Sequence, residues 1–238
     1  MIDLHYWPTP NGWKISIMLE ETGLPYTVVP VDIGRGAQLT PGFLAISPNH
    51  RIPAIVDHAP LGGGEPLSVF ESAAILQYLA EKSGRFMPLE PRGKYQVLAW
   101  LTWQVAHLGP SSGQNYHFRN YATETVPYAL ERFEKEVNRL YGVLERQLRE
   151  SEFVAGAYSI ADMAIWPWML GHEGQGQTLE DFPSVKRWML AVGGRPAVER
   201  GRRVGRELRR PGGLDDEARR NLFGQTAHGV TSVPKRPA

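Results

Sequence analysis

Residues 49–82, NHRIPAIVDHAPLGGGEPLSVFESAAILQYLAEK, leave few folds open. An isoleucine-proline step, Ile52-Pro53, enters a short apolar strand over 54–56. A glycine-rich turn leads to a second strand over 67–69, and Glu71-Ser72 opens an amphipathic helix. An X-Pro bond adopts the cis form far more readily than any other peptide bond. A cis Pro53 at a strand entrance would turn the N–H and C=O of Ile52 outward, where a bound peptide could pair with them as an added strand does. Glu71 supplies a carboxylate for an ammonium. Ser72 supplies a hydroxyl and a backbone N–H for a carboxylate, helped by the helix dipole. Alone, Glu-Ser at a helix start is an ordinary cap; beside Ile-Pro it becomes a holder for an α-amino acid group. A small peptide-like acid is the expected occupant.

The flanking pattern supplies the architecture. Residues 2–6 form a short strand, and 14–22 carry apolar residues at 15, 18 and 19, a helical spacing stopped by Gly23. Residues 26–31 form a second strand, and 37–45 a weaker helix interrupted by Pro41 and Gly42. The order βαβ, α, ββα predicts a thioredoxin-like domain whose first two strands are parallel. From residue 92 onward the pattern is helical: 95–108, then 127–149 with apolar residues at 130, 133, 137, 140, 141 and 144. Ser159 and Asp162 make a capping-box variant. The stretch MAIWPWML that follows is apolar nearly all round, with Pro167 expected to kink it or mark a functional edge. A last amphipathic helix spans 184–192. The expected organisation is an α/β thioredoxin-like domain over 1–84, a linker over 85–92, an all-α domain over 93–205, and a partly irregular C-terminal extension over 206–238.

Composition removes several function classes. A net charge of +1 provides no bulk field for nucleic acid or an anionic membrane. The six arginines within 200–210 are diluted by Glu199, Glu207 and 215–217, and are expected to form a solvated helix end and tail. No apolar run approaches the roughly 20 residues of a membrane span. The first residues lack a signal-peptide layout, so a cytoplasmic location is expected. With no cysteine, the chain has no disulfide, no thiolate metal site and no thiol nucleophile. The seven histidines show no ligand spacing, and no metal is expected.

Chemistry is expected in WPTPNGWK, residues 7–14, between the first strand and the first helix. In an open α/β sheet, ligands collect at that end of the strands. Thr9 offers a hydroxyl, and Asn11 an amide at a helix N-terminus that favours anions. Such donors would hold a bound thiol as thiolate; alternatively they cap the helix and shape the loop. Lys14, a turn into the helix, is taken as a surface charge, and Tyr6 as a packing residue.

These motifs carry a family resemblance. The TPNGWK loop, SPNHRIPAIVD, ESAAILQYLAEK and SIADMAIWPW resemble cytosolic glutathione transferases over about residues 1–205. DIGRGAQ, LGPSSGQNYHF and LFGQTA are similar to the bacterial Nu class, kin to the yeast nitrogen-regulator prion protein. The resemblance implies a homodimer with glutathione, reduced or oxidised, as cofactor. It implies that Thr9 faces the glutathione sulfur with Asn11 as its companion. Gln38 would reach the glycyl end or a second glutathione, Arg51 would also meet the glycyl carboxylate, Ile52 and Pro53 would present the backbone pair, and Glu71 and Ser72 would hold the γ-glutamyl group. Arg132 would lie near the ligand carboxylates. Trp103, His107, Tyr116, His117 and Trp166 are candidates for an apolar acceptor cleft, each also compatible with a core role. The implied activity is glutathione-dependent disulfide reduction. With no protein thiol, every sulfur in the exchange must come from the ligands. Conjugation of electrophiles, peroxide reduction and a non-catalytic glutathione-binding scaffold are the alternatives.

Overall fold

The computed structural model describes residues 1–209 and 213–230. The N-terminal part is built on β1 (Ile2–Tyr6), β2 (Tyr26–Pro30), β3 (Ala54–Asp57) and β4 (Leu67–Phe70). They form one sheet in the order β2-β1-β3-β4, with β1 and β2 parallel and the other pairs antiparallel. The parallel pair is joined through helix α1 (Pro10–Thr22), which carries the chain back along the sheet. Gly23 ends α1 in the left-handed conformation, its N–H returning to the carbonyl of Leu19. Helix α3 (Ser72–Ser83) follows β4 directly.

The expected 37–45 helix divides in two. A 3₁₀ turn at Ala37–Leu39 ends at Thr40, whose hydroxyl caps a new helix, α2 (Pro41–Ile46). Pro41 sits at the first helical position, where its missing N–H costs nothing. It starts a helix instead of interrupting one.

The C-terminal part comprises α4 (Pro91–Trp103), α5 (Gly109–Tyr116), α6 (Pro127–Arg149), α7 (Ile160–Met169), α8 (Pro183–Gly193) and α9 (Pro196–Arg203). The expected 95–108 helix begins at Pro91 and gives way after Trp103 to a wide π-type turn, Gln104–Leu108. A second such turn, His117–Tyr121, follows α5. Ser159 and Asp162 form the capping box. The buried Asp162 carboxylate also accepts from the Val154 N–H at 3.0 Å and the Trp188 indole at 2.8 Å, tying α7 to α8.

Helix α1 is the axis of the molecule, packing against β1, α3, α7 and α9. Enclosed on every side, it buries Lys14, Ser16 and Glu21 as well as its apolar residues. The buried polar groups are each engaged: Ser16 Oγ donates to the Gly201 carbonyl at 2.7 Å, and Glu21 pairs with Arg195 at 2.6 Å. A Cβ on Gly201 would stand 2.5 Å from Ile17 Cα, so α9 can approach this closely only with glycine there. Tyr6 is fully buried, and its hydroxyl donates to the Val204 carbonyl at 3.0 Å.

The arginine run is the end of α9 and a 3₁₀ turn at Arg206–Leu208; Arg200 pairs with Glu20, and Arg203 with Glu199. Arg210 lies outside the described residues. The C-terminal extension contains more order than its composition suggests. Asp215 caps helix α10 (Asp216–Phe223), and two short strands, β5 (Gln225–Thr226) and β6 (Gly229–Val230), pair antiparallel after it.

Candidate functional site

The loop after β1 turns sharply, the Thr9 N–H donating to the Trp7 carbonyl at 2.8 Å. Gly12 permits the turn, since a Cβ there would fall 2.2 Å from that same carbonyl oxygen. Thr9 is thereby placed as the N-cap of α1, its Oγ1 accepting from the Gly12 N–H at 3.4 Å. A hydroxyl used in this way as an acceptor still has its own proton to donate. Capping and donation to a ligand are thus compatible roles of one side chain.

Asn11 Oδ1 accepts from the indole N–H of Trp168 at 3.0 Å. An indole only donates, so this contact fixes which way the amide faces and leaves the Asn11 NH₂ for other partners. Trp168 enters the site where Trp166 was a candidate. Two residues apart on a helix means roughly 200° of rotation, so the two indoles face opposite ways. Trp166 is in the core, donating to the Met189 carbonyl at 3.0 Å, while Trp168 meets the loop after β1.

A cavity of about 380 Å³ opens beside this loop, lined by residues that include Thr9, Asn11, Gln38, Arg51, Ile52 and Trp168. The Ile52-Pro53 bond is cis. The N–H and C=O of Ile52 have no hydrogen-bond partner among the described residues. Gln38 is buried, its Nε2 donating to the carbonyls of Ile33 (3.2 Å) and Asn221 (3.4 Å), while its Oε1 has no partner. Next to the Ile-Pro strand entrance, Asn49 donates to the Glu71 carboxylate at 3.0 Å. Glu71 is exposed and held at φ +67°, unusual for a non-glycine residue and typical of ligand sites. Ser72, one residue on, is buried.

A second cavity, of about 490 Å³, lies on the other side of Thr9 and is lined by residues that include Trp7, Pro8, Asp32, Arg35 and Arg209. Thr9, Ile33 and Leu222 border both cavities.

The extension forms the outer wall of both. Helix α10 is fastened to the thioredoxin-like part by Arg35, which pairs with Asp215 at 2.8 Å and with Glu217, and by Asn221 Nδ2, which donates to the Gly34 carbonyl at 2.8 Å. It reaches the helical part through Arg219, whose guanidinium donates to the Tyr121 carbonyl at 2.8 Å. Phe223 packs edge-on against His117, ring centroids 4.7 Å apart. Burial and the nearby Arg219 lower the His117 pKa. Beyond α10, Gln225 Oε1 accepts from the Arg51 guanidinium at 2.6 Å. The residues that made this wall legible in principle are Asp215 as a cap and Ala218, Leu222 and Phe223 on one face.

One expectation changes. Lys14 is not a surface charge. It is 2% exposed, its Nζ donating to Gln104 Oε1 at 2.6 Å and to Ser72 Oγ at 3.3 Å. Desolvation pushes its pKa down to about 7, opposed by the field of Glu71. Its helix faces protein all round, so no surface was available to it. Arg132 lies on the exposed side of α6, 3.9 Å from Glu136, and lines neither cavity of its own chain. Of the other cleft candidates, Trp103 packs edge-on against Trp100, Tyr116 against Tyr121, and His107 is exposed. His117 lines a depression beside Phe223.

Known proteins share this fold. The family profile described as "Glutathione S-transferase, N-terminal domain" matches residues 9–82, and that described as "Glutathione S-transferase, C-terminal domain" matches residues 115–196. The Escherichia coli K12 protein named disulfide-bond oxidoreductase YfcG is 53% identical over 199 residues, covering 83% of this chain and 93% of that protein. Disulfide-bond oxidoreductase YghU from the same organism is 42% identical over 220 residues, 86% of this chain and 75% of that protein. Among solved structures, a glutathione transferase family member from Pseudomonas fluorescens pf-5, with two glutathione bound, superposes with a TM-score of 0.80 at 43% identity, covering 84% of this chain and 92% of that one. A glutathione transferase from Pseudomonas putida, with one glutathione disulfide per subunit, gives a TM-score of 0.80 at 40% identity over 89% and 92%. With both halves matched by family profile and a relative at 53% identity across most of its length, this chain belongs to the glutathione S-transferase family.

Proposed function

We propose that the chain is a glutathione-dependent disulfide-bond reductase that holds two glutathionyl units, or one glutathione disulfide, across Thr9. The observation that carries this is the pair of cavities that share Thr9 as a common wall. Two glutathionyl ligands entering from either side would bring their sulfurs to one hydroxyl. Relatives named disulfide-bond oxidoreductases, and neighbours crystallised with two glutathiones or with the disulfide, support the same reading.

The residues present fit such a ligand. The unpartnered Gln38 Oε1 suits an N–H donor, and the free N–H and C=O of Ile52, before cis Pro53, suit a peptide backbone. Arg51 suits the glycyl carboxylate, Glu71 the γ-glutamyl ammonium, and Ser72, with the α3 N-terminus, its carboxylate. When bound, glutathione supplies the thiol for thiol-disulfide exchange. The chain's own part is positional and electrostatic. Thr9 donates its remaining proton to the sulfur, and Asn11, with its amide oxygen occupied by Trp168, turns its NH₂ toward the same place. Hydrogen bonds to the charged form lower a thiol's pKa toward ambient pH, which raises the reactive fraction. Arg132 lines neither cavity of its own chain, so its role near the carboxylates is assigned to the homodimer, in which a second copy could bring it. Leu67 and Phe70 on the edge strand β4 offer exposed apolar surface for such a partner. No helix among the described residues is long and apolar enough to cross a membrane.

The test is reduction of 2-hydroxyethyl disulfide by glutathione, coupled to NADPH through glutathione reductase. Turnover well above the uncatalysed rate is expected in the wild type, with a roughly 10- to 100-fold loss in Thr9→Ala and retention in Thr9→Ser. Glutathione affinity of Thr9→Ala should stay within a few-fold. A wild-type rate equal to background would overturn the proposal.

A further inference from the structure

Lys14 is a buried cation that forms no ion pair among the described residues. Such a group costs several kcal/mol unless an anion compensates it. Its surroundings have been arranged to keep it. Gln104, at the first position of a wide π-type turn, turns its amide oxygen onto the ammonium and leaves its own buried Nε2 without a partner. Ser72 Oγ accepts from the same ammonium, so the Ser72 hydroxyl proton is free to point the other way.

The charged groups around this position are few. Just before α3, Glu71 reaches Lys14 through its field, but its carboxylate is exposed and bonded to Asn49. On the Gln104–Leu108 turn, His107 is exposed. On α7, Asp162 is consumed by Ser159, Val154 and Trp188. On α9, Arg200 pairs with Glu20, and Arg195, just before that helix, pairs with Glu21. None supplies a direct counter-ion.

We propose that the missing counter-ion is the ligand's own: Lys14 is a positioning residue that orients Ser72 toward the γ-glutamyl α-carboxylate, and binding of that carboxylate draws a proton from solvent onto Lys14. The inference rests on the glutathione-binding reading above. It adds a third member, behind Glu71 and Ser72, to the set that recognises the amino-acid end. In the free protein, desolvation leaves the ammonium near its point of deprotonation at neutral pH. A carboxylate on the far side of Ser72 restores the charged form. Affinity should therefore fall as pH rises through neutrality, because the proton must be taken up against a falling proton activity.

S-methylglutathione is the probe, since it keeps the γ-glutamyl end and has no thiol proton to confuse the balance. Titration calorimetry at pH 7.5 in phosphate and in Tris, whose ionisation enthalpies differ, reads the protons exchanged. The wild type should take up roughly half a proton to one proton per site, and bind roughly tenfold or more weakly at pH 8.5 than at pH 6.5. Lys14→Arg, permanently charged, should bind with neither proton uptake nor this pH dependence. Lys14→Met should bind roughly tenfold or more weakly at pH 6.5, also without uptake. His50, in the same cavity, is common to all three proteins, so differences between them isolate Lys14. A wild type that binds with no uptake and a flat profile overturns the proposal while leaving glutathione binding intact. A wild type that fails to bind at any pH removes the glutathione reading and this inference with it. The wild-type calorimetry decides even if a variant does not fold.

Discussion

Replacing Gly201 with alanine sets two effects of opposite sign against each other. In an isolated helix the change is favourable by about 1 kcal/mol, because alanine loses less backbone entropy than glycine. In α9 the new Cβ would lie 2.5 Å from Ile17 Cα, 2.7 Å from Ile17 N and 2.9 Å from Ile17 Cγ1. Ordinary contact needs about 3.5 Å or more, so α9 must back away from α1 by about 1 Å. Two of the atoms in the way are backbone and cannot rotate aside. Overpacking of this kind costs typically 1–3 kcal/mol. The retreat also stretches the 2.7 Å bond from Ser16 Oγ to the Gly201 carbonyl, and weakening a buried bond adds about 1 kcal/mol or more. Net destabilisation of about 1–3 kcal/mol is expected, a fall in Tm of roughly 2–12 °C for a chain of this size. Thermal unfolding followed by circular dichroism reads it. Gly142→Ala in α6 is the control, since its Cβ would meet only the flexible end of Arg146 at 3.7 Å. That variant should gain up to about 1 kcal/mol by propensity alone. If Gly201→Ala proves as stable as the wild type, the close approach of α9 to α1 does not depend on glycine and the account of the domain junction is wrong.

Other perturbations separate the parts of the site. Trp168→Phe removes the donor that fixes the Asn11 amide; turnover should fall roughly tenfold at modest cost in Tm, and unchanged turnover would mean that Asn11 needs no such anchor. Gln225→Ala frees the Arg51 guanidinium from its internal acceptor, so glutathione affinity should rise a few-fold by calorimetry; no change would show that the contact does not compete with ligand. Lys14 also predicts a pH dependence of stability. Its folded pKa lies below its unfolded value, so between about pH 7 and 10.5 the unfolded chain holds the extra proton. Stability of the wild type relative to Lys14→Met should therefore rise across that window, by at most about 1.4 kcal/mol per pH unit. Denaturant unfolding at pH 7 and pH 9 measures it, and a constant difference would mean that Lys14 stays protonated in the fold.

What was legible in the sequence follows from local chemistry. Gly23 as a C-terminal stop, Ser159 with Asp162 as a cap, and the periodic faces of 2–6, 67–69 and 127–149 announce elements whose cause lies within a few residues. The Ile52-Pro53 step and Glu71-Ser72 read as a candidate site for the same reason, since a strand entrance and a helix start carry their polar groups wherever they pack. Even Pro41, taken as an interruption, acted locally by starting a new helix. Long-range contact decided the rest. Lys14 reads as a surface charge because nothing within a turn of it says that α3, α7 and α9 will close around α1. Trp166 and Trp168 are equivalent as letters, and only the rotation of α7 against its neighbours sends one to the core and the other to Asn11. The order in the extension is not legible locally, because α10 gains its place from Arg35, Gly34 and Tyr121, partners more than ninety residues away in the chain. Local propensity chose the elements. Burial, which no short stretch of sequence can specify, chose which polar groups gather at the candidate site.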